Sequence, residues 1–91
     1  MVKLFYVVPG ATTAGDDIDL PDWVPPLREI VGAVLVSLSG GTATSLTVVT
    51  GTPSGNQIQL SDEDTVVLGT DTVANDILII AAVEKGEYSG A

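Results

Sequence analysis

Apolar residues along the chain come in short runs rich in Val, Ile, Leu and Thr, and the runs are cut by Gly, Pro, Ser, Asn and Asp. That is the punctuation of a β protein. Six strands are predicted, over residues 3–8, 29–38, 44–50, 57–60, 65–69 and 76–85. Pro9-Gly10 stops the first, Ser39-Gly40-Gly41 the second and Gly51 the third. Pro53-Ser54-Gly55-Asn56 turns the chain into the fourth, and Asn75-Asp76 opens the last. Turn signals recur about every eight to twelve residues through the C-terminal half, a spacing that predicts antiparallel strands closed into a small sandwich or barrel.

One of these segments carries two periodicities. Leu27, Ile30, Val31, Val34, Leu35 and Leu38 fall at helical spacing, with Pro26 placed as a first helical residue would be. Against a helix stand Gly32 and the β-branched Ile30, Val31, Val34 and Val36, whose χ1 freedom a helix curtails. The near-continuous apolar run is what a strand covered on both faces shows. We read 29–38 as strand, with a helix as the alternative.

Residues 11–26, "ATTAGDDIDLPDWVPP", follow no period. Three prolines and four aspartates predict an extended arm, because each proline pushes the residue before it toward β or polyproline backbone. The whole chain therefore reads as one domain of 91 residues: an N-terminal strand (1–10), the arm (11–26) and a β-sandwich or barrel (27–91). The arm holds the only Trp. Trp23 has two readings, a plug for the open end of a sandwich or an anchor in an interface, where aromatic residues are enriched.

Composition narrows the functional classes. Twelve acids against three bases give a formal charge of −9, which repels phosphate backbones and anionic lipid, so neither a nucleic acid nor a membrane is expected as partner. The charge also keeps a chain that is 45% hydrophobic in solution. The longest wholly apolar run, 77–83, falls far short of the roughly 20 residues of a membrane-spanning helix, and the N-terminal run reads as part of the fold rather than as a signal peptide. With neither Cys nor His, a thiol nucleophile, a zinc–thiolate site and a Ser-His-Asp relay are all excluded.

Two acidic clusters are the candidate chemistry. Asp16, Asp17 and Asp19 have the close spacing of a calcium loop, but no Gly occupies the turning position and no Glu closes the loop; a solvated acidic loop is the plainer reading. Asp62, Glu63 and Asp64 read as a corner between two strands, where Ser61 and Asp62 satisfy nearby backbone N–H groups. A carboxylate pair doing acid–base work needs environments that separate the two pKa values, and an exposed corner offers none. "SGGTATS" lacks the Gly-Lys-Ser/Thr ending of a phosphate loop. We expect no enzyme and no cofactor.

The C-terminal two thirds resembles the small Thr-, Val- and Gly-rich virion proteins of tailed bacteriophages. The matching pieces are Thr50-Gly51-Thr52-Pro53, Gly55, Ile58, Leu60, Asp64 to Gly69 and Asp76-Ile77-Leu78. The resemblance implies a capsid decoration or cement protein: a β-sandwich or barrel, made in the host cytoplasm, that binds the major capsid protein shell from outside and works as a homo-oligomer, a trimer by preference. A tail or head–tail component and a soluble ligand-binding module with a weak Ca²⁺ site are the alternatives. A thin-cored domain gains stability by burying strands against copies of itself. Phe5, Tyr6, Trp23 and Leu27 are the expected interface residues, on a first strand and arm that reach across to a neighbour.

Overall fold

The computed structural model describes residues 1–86, and those residues are all β, with no helix. Seven strands follow in order: β1 (Val2–Val7), β2 (Asp17–Asp19), β3 (Leu27–Ser37), β4 (Thr42–Val48), β5 (Gln57–Asp62), β6 (Thr65–Leu68) and β7 (Ile77–Glu84). They form one sheet in the spatial order β1-β7-β3-β4-β5-β6-β2, curled into a half-barrel. Six of the predicted strands are present. The seventh, β2, lies inside the segment expected to be an irregular arm.

The sheet is mixed rather than purely antiparallel, because β4 and β5 run parallel. Parallel neighbours ordinarily need a long crossover, yet residues 49–56 suffice here. The overlap is two residue pairs, Thr47 with Gln57 and Val48 with Ile58, so β5 begins where β4 ends and continues past it. The chain has little distance to retrace, and the molecule is elongated, 42 × 23 × 21 Å. That stagger is why one curled sheet forms instead of the two stacked layers of the expected sandwich.

The 49–56 connection is held by backbone: Thr47 N–H donates to Asn56 O and Val49 N–H to Ile58 O, both at 2.9 Å. It crosses Gly69 so closely that a Cβ built there would lie 2.4 Å from the carbonyl carbon of Ser54. Only glycine admits this approach.

Residues 27–37 are strand, and the step of three from Leu27 to Ile30 that begins the helical spacing has a structural cause. β3 shifts register against β7 twice, between Leu27 and Glu29 and again between Ile30 and Gly32. Each shift inserts an extra residue, as a bulge does, so Leu27, Ile30 and Ala33 all face inward although they are three apart.

The arm is not a free extension. β2 pairs antiparallel with β6, placing Ile18 opposite Val66, and Thr12 bridges Thr72. Leu20 N–H donates to Asp64 O and Leu27 N–H to Glu63 O, both at 2.8 Å. Ile18, Leu20 and Val24 are buried in the same core cluster as Phe5, Val7, Ile58, Leu68, Leu78 and Ile80. The prolines keep the segment extended, and its apolar residues then dock on the chain's own sheet rather than on a neighbour's.

Candidate functional site: an open apolar sheet face

β1 alternates strictly. Phe5 and Val7 point into the core, while Val2, Leu4, Tyr6 and Val8 point out and are more than half exposed. β7 and β3 are apolar at both parities. Leu78, Ile80 and Ala82 have no exposed surface, and Ile77, Ile79 and Ala81 on the opposite side of β7 are half-buried by their strand neighbours alone. The register lines the outer residues into rows, Leu4 beside Ala81 beside Gly32 and Tyr6 beside Ile79 beside Val34. The doubly apolar pattern read from the sequence is therefore correct for the strands, but one of the two faces is open.

The open face has three further properties. From Val31 onward its outward positions on β3, and those beside them on β1, β7 and β4, carry no Asp, Glu, Lys or Arg; charge enters only at the far end, where Glu29 stands opposite Val83 with Arg28 next to it. At one end it runs into a shallow depression of about 500 Å³ lined by Val8, Leu38, Ser39, Ala74, Asn75 and Ile77. Along one side it ends at β1, whose outer edge pairs with no strand among the described residues.

The acids lie elsewhere. The 62–64 triplet is the corner between β5 and β6, where Asp62 pairs with Thr65 and leaves Glu63 and Asp64 as a two-residue loop. Neither loop residue has positive φ, so this is not one of the turns whose twist matches a hairpin by itself. The register shift between Leu60 and Asp62 supplies extra local twist instead. Asp62 accepts from Glu63 N–H at 2.7 Å and Asp64 from Thr65 Oγ1 at 3.0 Å, while Ser61 Oγ donates to Thr65 O at 3.3 Å. Glu63 takes the Lys85 ammonium at 2.6 Å. That hydrogen bond, then the charge of Glu63, raise the Lys85 pKa, and Asp62 adds to the rise. The carbonyls of the same two loop residues receive the arm, so the corner is a fastening point.

The second acidic cluster has split apart. Asp16 accepts from Thr13 N–H at 3.1 Å and closes a local turn, whereas Asp17 and Asp19 flank the buried Ile18 on β2 and face solvent. Among the described residues no group of three potential ligands gathers. One polar cluster is buried that the sequence did not mark. Thr72 Oγ1 donates to Gly10 O and stands 2.8 Å from Thr12 Oγ1 and 3.1 Å from Thr12 N. A hydroxyl has one proton, so Thr12 is the donor in the Thr12–Thr72 pair. Beside it Asp76, also buried, accepts from Val73 N–H at 2.9 Å.

The four expected interface residues divide. Tyr6 is 58% exposed and sits on the open face; Trp23 is 62% exposed in the β2–β3 connection, off the sheet. Phe5 and Leu27 are core side chains, at 9% and 2%, and offer nothing to a partner. Trp23 plugs no opening, since its neighbour Val24 takes the inward place. Leu4, Val8 and Ile79 share the open face with Tyr6; their outward placement had a signal in the strict alternation of 2–8 and the unbroken run 77–83.

No family model, curated protein or solved structure matches the chain at a significant level.

Proposed function

We propose that the chain is a non-enzymatic virion structural protein, a capsid decoration protein that binds the outside of a major capsid protein shell and stabilises it as a homo-oligomer, a trimer by preference. The supporting observation is the open face of β1, β7 and β3: a surface built to be covered, on a domain whose acids serve as turns and caps. Exposed apolar patches of this kind mark protein contacts. The resemblance of the C-terminal two thirds to small phage virion proteins supplies the identity of the larger surface.

The test is co-sedimentation with shells assembled from the major capsid protein of the genome that encodes the chain. The expected result is a saturable load in the pellet and a raised shell melting temperature. Protein that stays in the supernatant at every ratio sinks the proposal.

A further inference from the structure

We infer that the open face of β1, β7 and β3 is where further copies of this same chain pack, face to face, so that Leu4, Tyr6, Val8, Ile79, Val34 and Leu38 form the centre of a self-interface. This deepens the homo-oligomer part of the reading above, putting a two-fold pair on this face in place of the preferred trimer, and stands apart from its capsid part.

Size is the first argument. The fractional exposures of these and the adjoining outward side chains amount to on the order of 600 Å² of apolar area, the upper range for the largest patch on a monomer. One partner in a stable interface contributes roughly 800 Å², so the patch with a narrow rim is enough. The 500 Å³ depression bordered by Val8, Leu38 and Ile77 gives the face a hollow beside the protruding Leu4 and Tyr6, the relief that lets a surface complement a copy of itself.

Charge selects the occupant. A chain of −9 is repelled by its own copies wherever acids meet, and a broad apolar surface whose only charges, Arg28 and Glu29, are paired at one end is where copies approach cheaply. A basic protein would gain nothing there and would be steered to the corner at 62–64 or to β2. An anionic lipid surface would find no cluster of cations on the face to hold it, since Arg28 there stands beside Glu29. The free edge of β1 points the same way, since it bounds the same patch and is neither short nor flanked by acids.

The test is sedimentation equilibrium of the purified full chain, with no shells present, at up to about 100 µM, a range that populates an interface with a Kd of about 1 µM. The wild type is expected to reach the mass of an oligomer, and L4E/Y6E that of a monomer with an unchanged circular dichroism spectrum. Both positions are exposed on an edge strand, so the variant folds. W23S, which removes exposed apolar surface off the face, is expected to keep the wild-type mass. A monomeric wild type overturns the inference, as does an L4E/Y6E protein that still assembles or a W23S protein that does not. Shell binding is read separately: a monomer that loads onto shells sinks the self-interface and spares the decoration reading, and an oligomer that ignores shells does the reverse.

Discussion

The half-barrel ends in two edge strands that treat solvent in opposite ways. β2 has three residues, Asp17-Ile18-Asp19, so only Ile18 is apolar and an acid stands on either side of it. Short length and outward charge are how sheets keep an edge from recruiting another chain. β1 has six residues, and Val2, Leu4 and Tyr6 face out with Lys3 as its sole charge. The same contrast extends inward. At the β5–β6–β2 end the outward side has one apolar residue, Val67, buried between Asp17 and Gln59, and backbone hydrogen bonds fasten the end to the arm, whereas β1, β7 and most of β3 are apolar on both faces. One end is closed by the chain itself, and the other leaves an apolar face open.

The largest expected effect separates the two faces of β7. Ile80 has no exposed surface and pairs with Phe5 and Ala33; its neighbour Ile79 lies on the open face. Ile80→Ala should cost about 2–5 kcal/mol, which in a domain holding roughly 5–15 kcal/mol in all is a drop of well over about 8 °C in Tm. Ile79→Ala should cost less than about 1.5 kcal/mol in dilute protein, and its cost should grow with concentration as the face becomes buried. Calorimetry at two concentrations checks both. Equal costs at every concentration would erase the distinction between covered and open face.

The closed end should break through its backbone rather than its apolar side chains. Gly69→Ala drives a Cβ into the backbone of Ser54 and Gly55, and neither can swing aside as a long side chain would. A loss of about 1–3 kcal/mol is expected, with the 49–56 connection lifting and amide exchange rising at Val49 and Thr47. A variant as stable as the wild type would mean that the stagger of β5 on β4 does not depend on this crossing.

How much of this was legible in the sequence follows from what sets each feature. Six strands, the Pro-Gly stops and the 62–64 corner were legible because period-2 patterning and turn residues act locally. The parallel β4–β5 step was not, because nothing in "TGTPSGN" distinguishes a hairpin turn from a short retracing loop. β2 was hidden because one inward Ile18 between two aspartates makes no period. β3 mixed helical and extended signals because a bulge sets the inward Leu27 and Ile30 three apart, while Val31 and Leu38, which filled out the helical spacing, are exposed. The open face was half legible: unbroken runs at 30–36 and 77–83 announced strands apolar on both sides, but which side the chain itself would cover is decided by where the arm docks. Phe5 and Leu27 were misplaced for the same reason, since alternation gives parity without saying which parity is inward.

Next in size is the tie between the arm and the 70–76 loop. Thr72→Val keeps the shape of the side chain but strands Gly10 O and removes the hydroxyl that Thr12 shares. The bond from Thr12 N–H to Thr72 O at 3.2 Å survives, so about 1–2 kcal/mol is expected. Exchange should rise at Thr12 and Gly15 and not in β1. A uniform rise across the sheet would instead make this tie part of the global unfolding unit.

The smallest effect belongs to an ion pair that joins the two ends, Lys85 after β7 and Glu63 in the β5–β6 loop. Both side chains are largely exposed, at 61% and 40%, and exposed pairs are weak and screened by salt. Its signature is therefore the pH at which it acts rather than its size. The Lys85 pKa is raised in the folded chain above the ordinary 10.5, so the folded state holds this proton more tightly than the unfolded state does. The pair's contribution is complete below pH 10.5 and disappears as pH climbs through the raised folded value. Lys85→Met should accordingly lower Tm slightly at pH 7, and the gap between variant and wild type should close above pH 10.5 and narrow in high salt. The Lys85 backbone N–H, which donates to Pro26 O at 2.8 Å, survives the substitution, so the β7 end stays fastened to the arm. A gap that persists unchanged above pH 11 would mean that the lysine stem, packed over the corner, stabilises the ends more than its charge does.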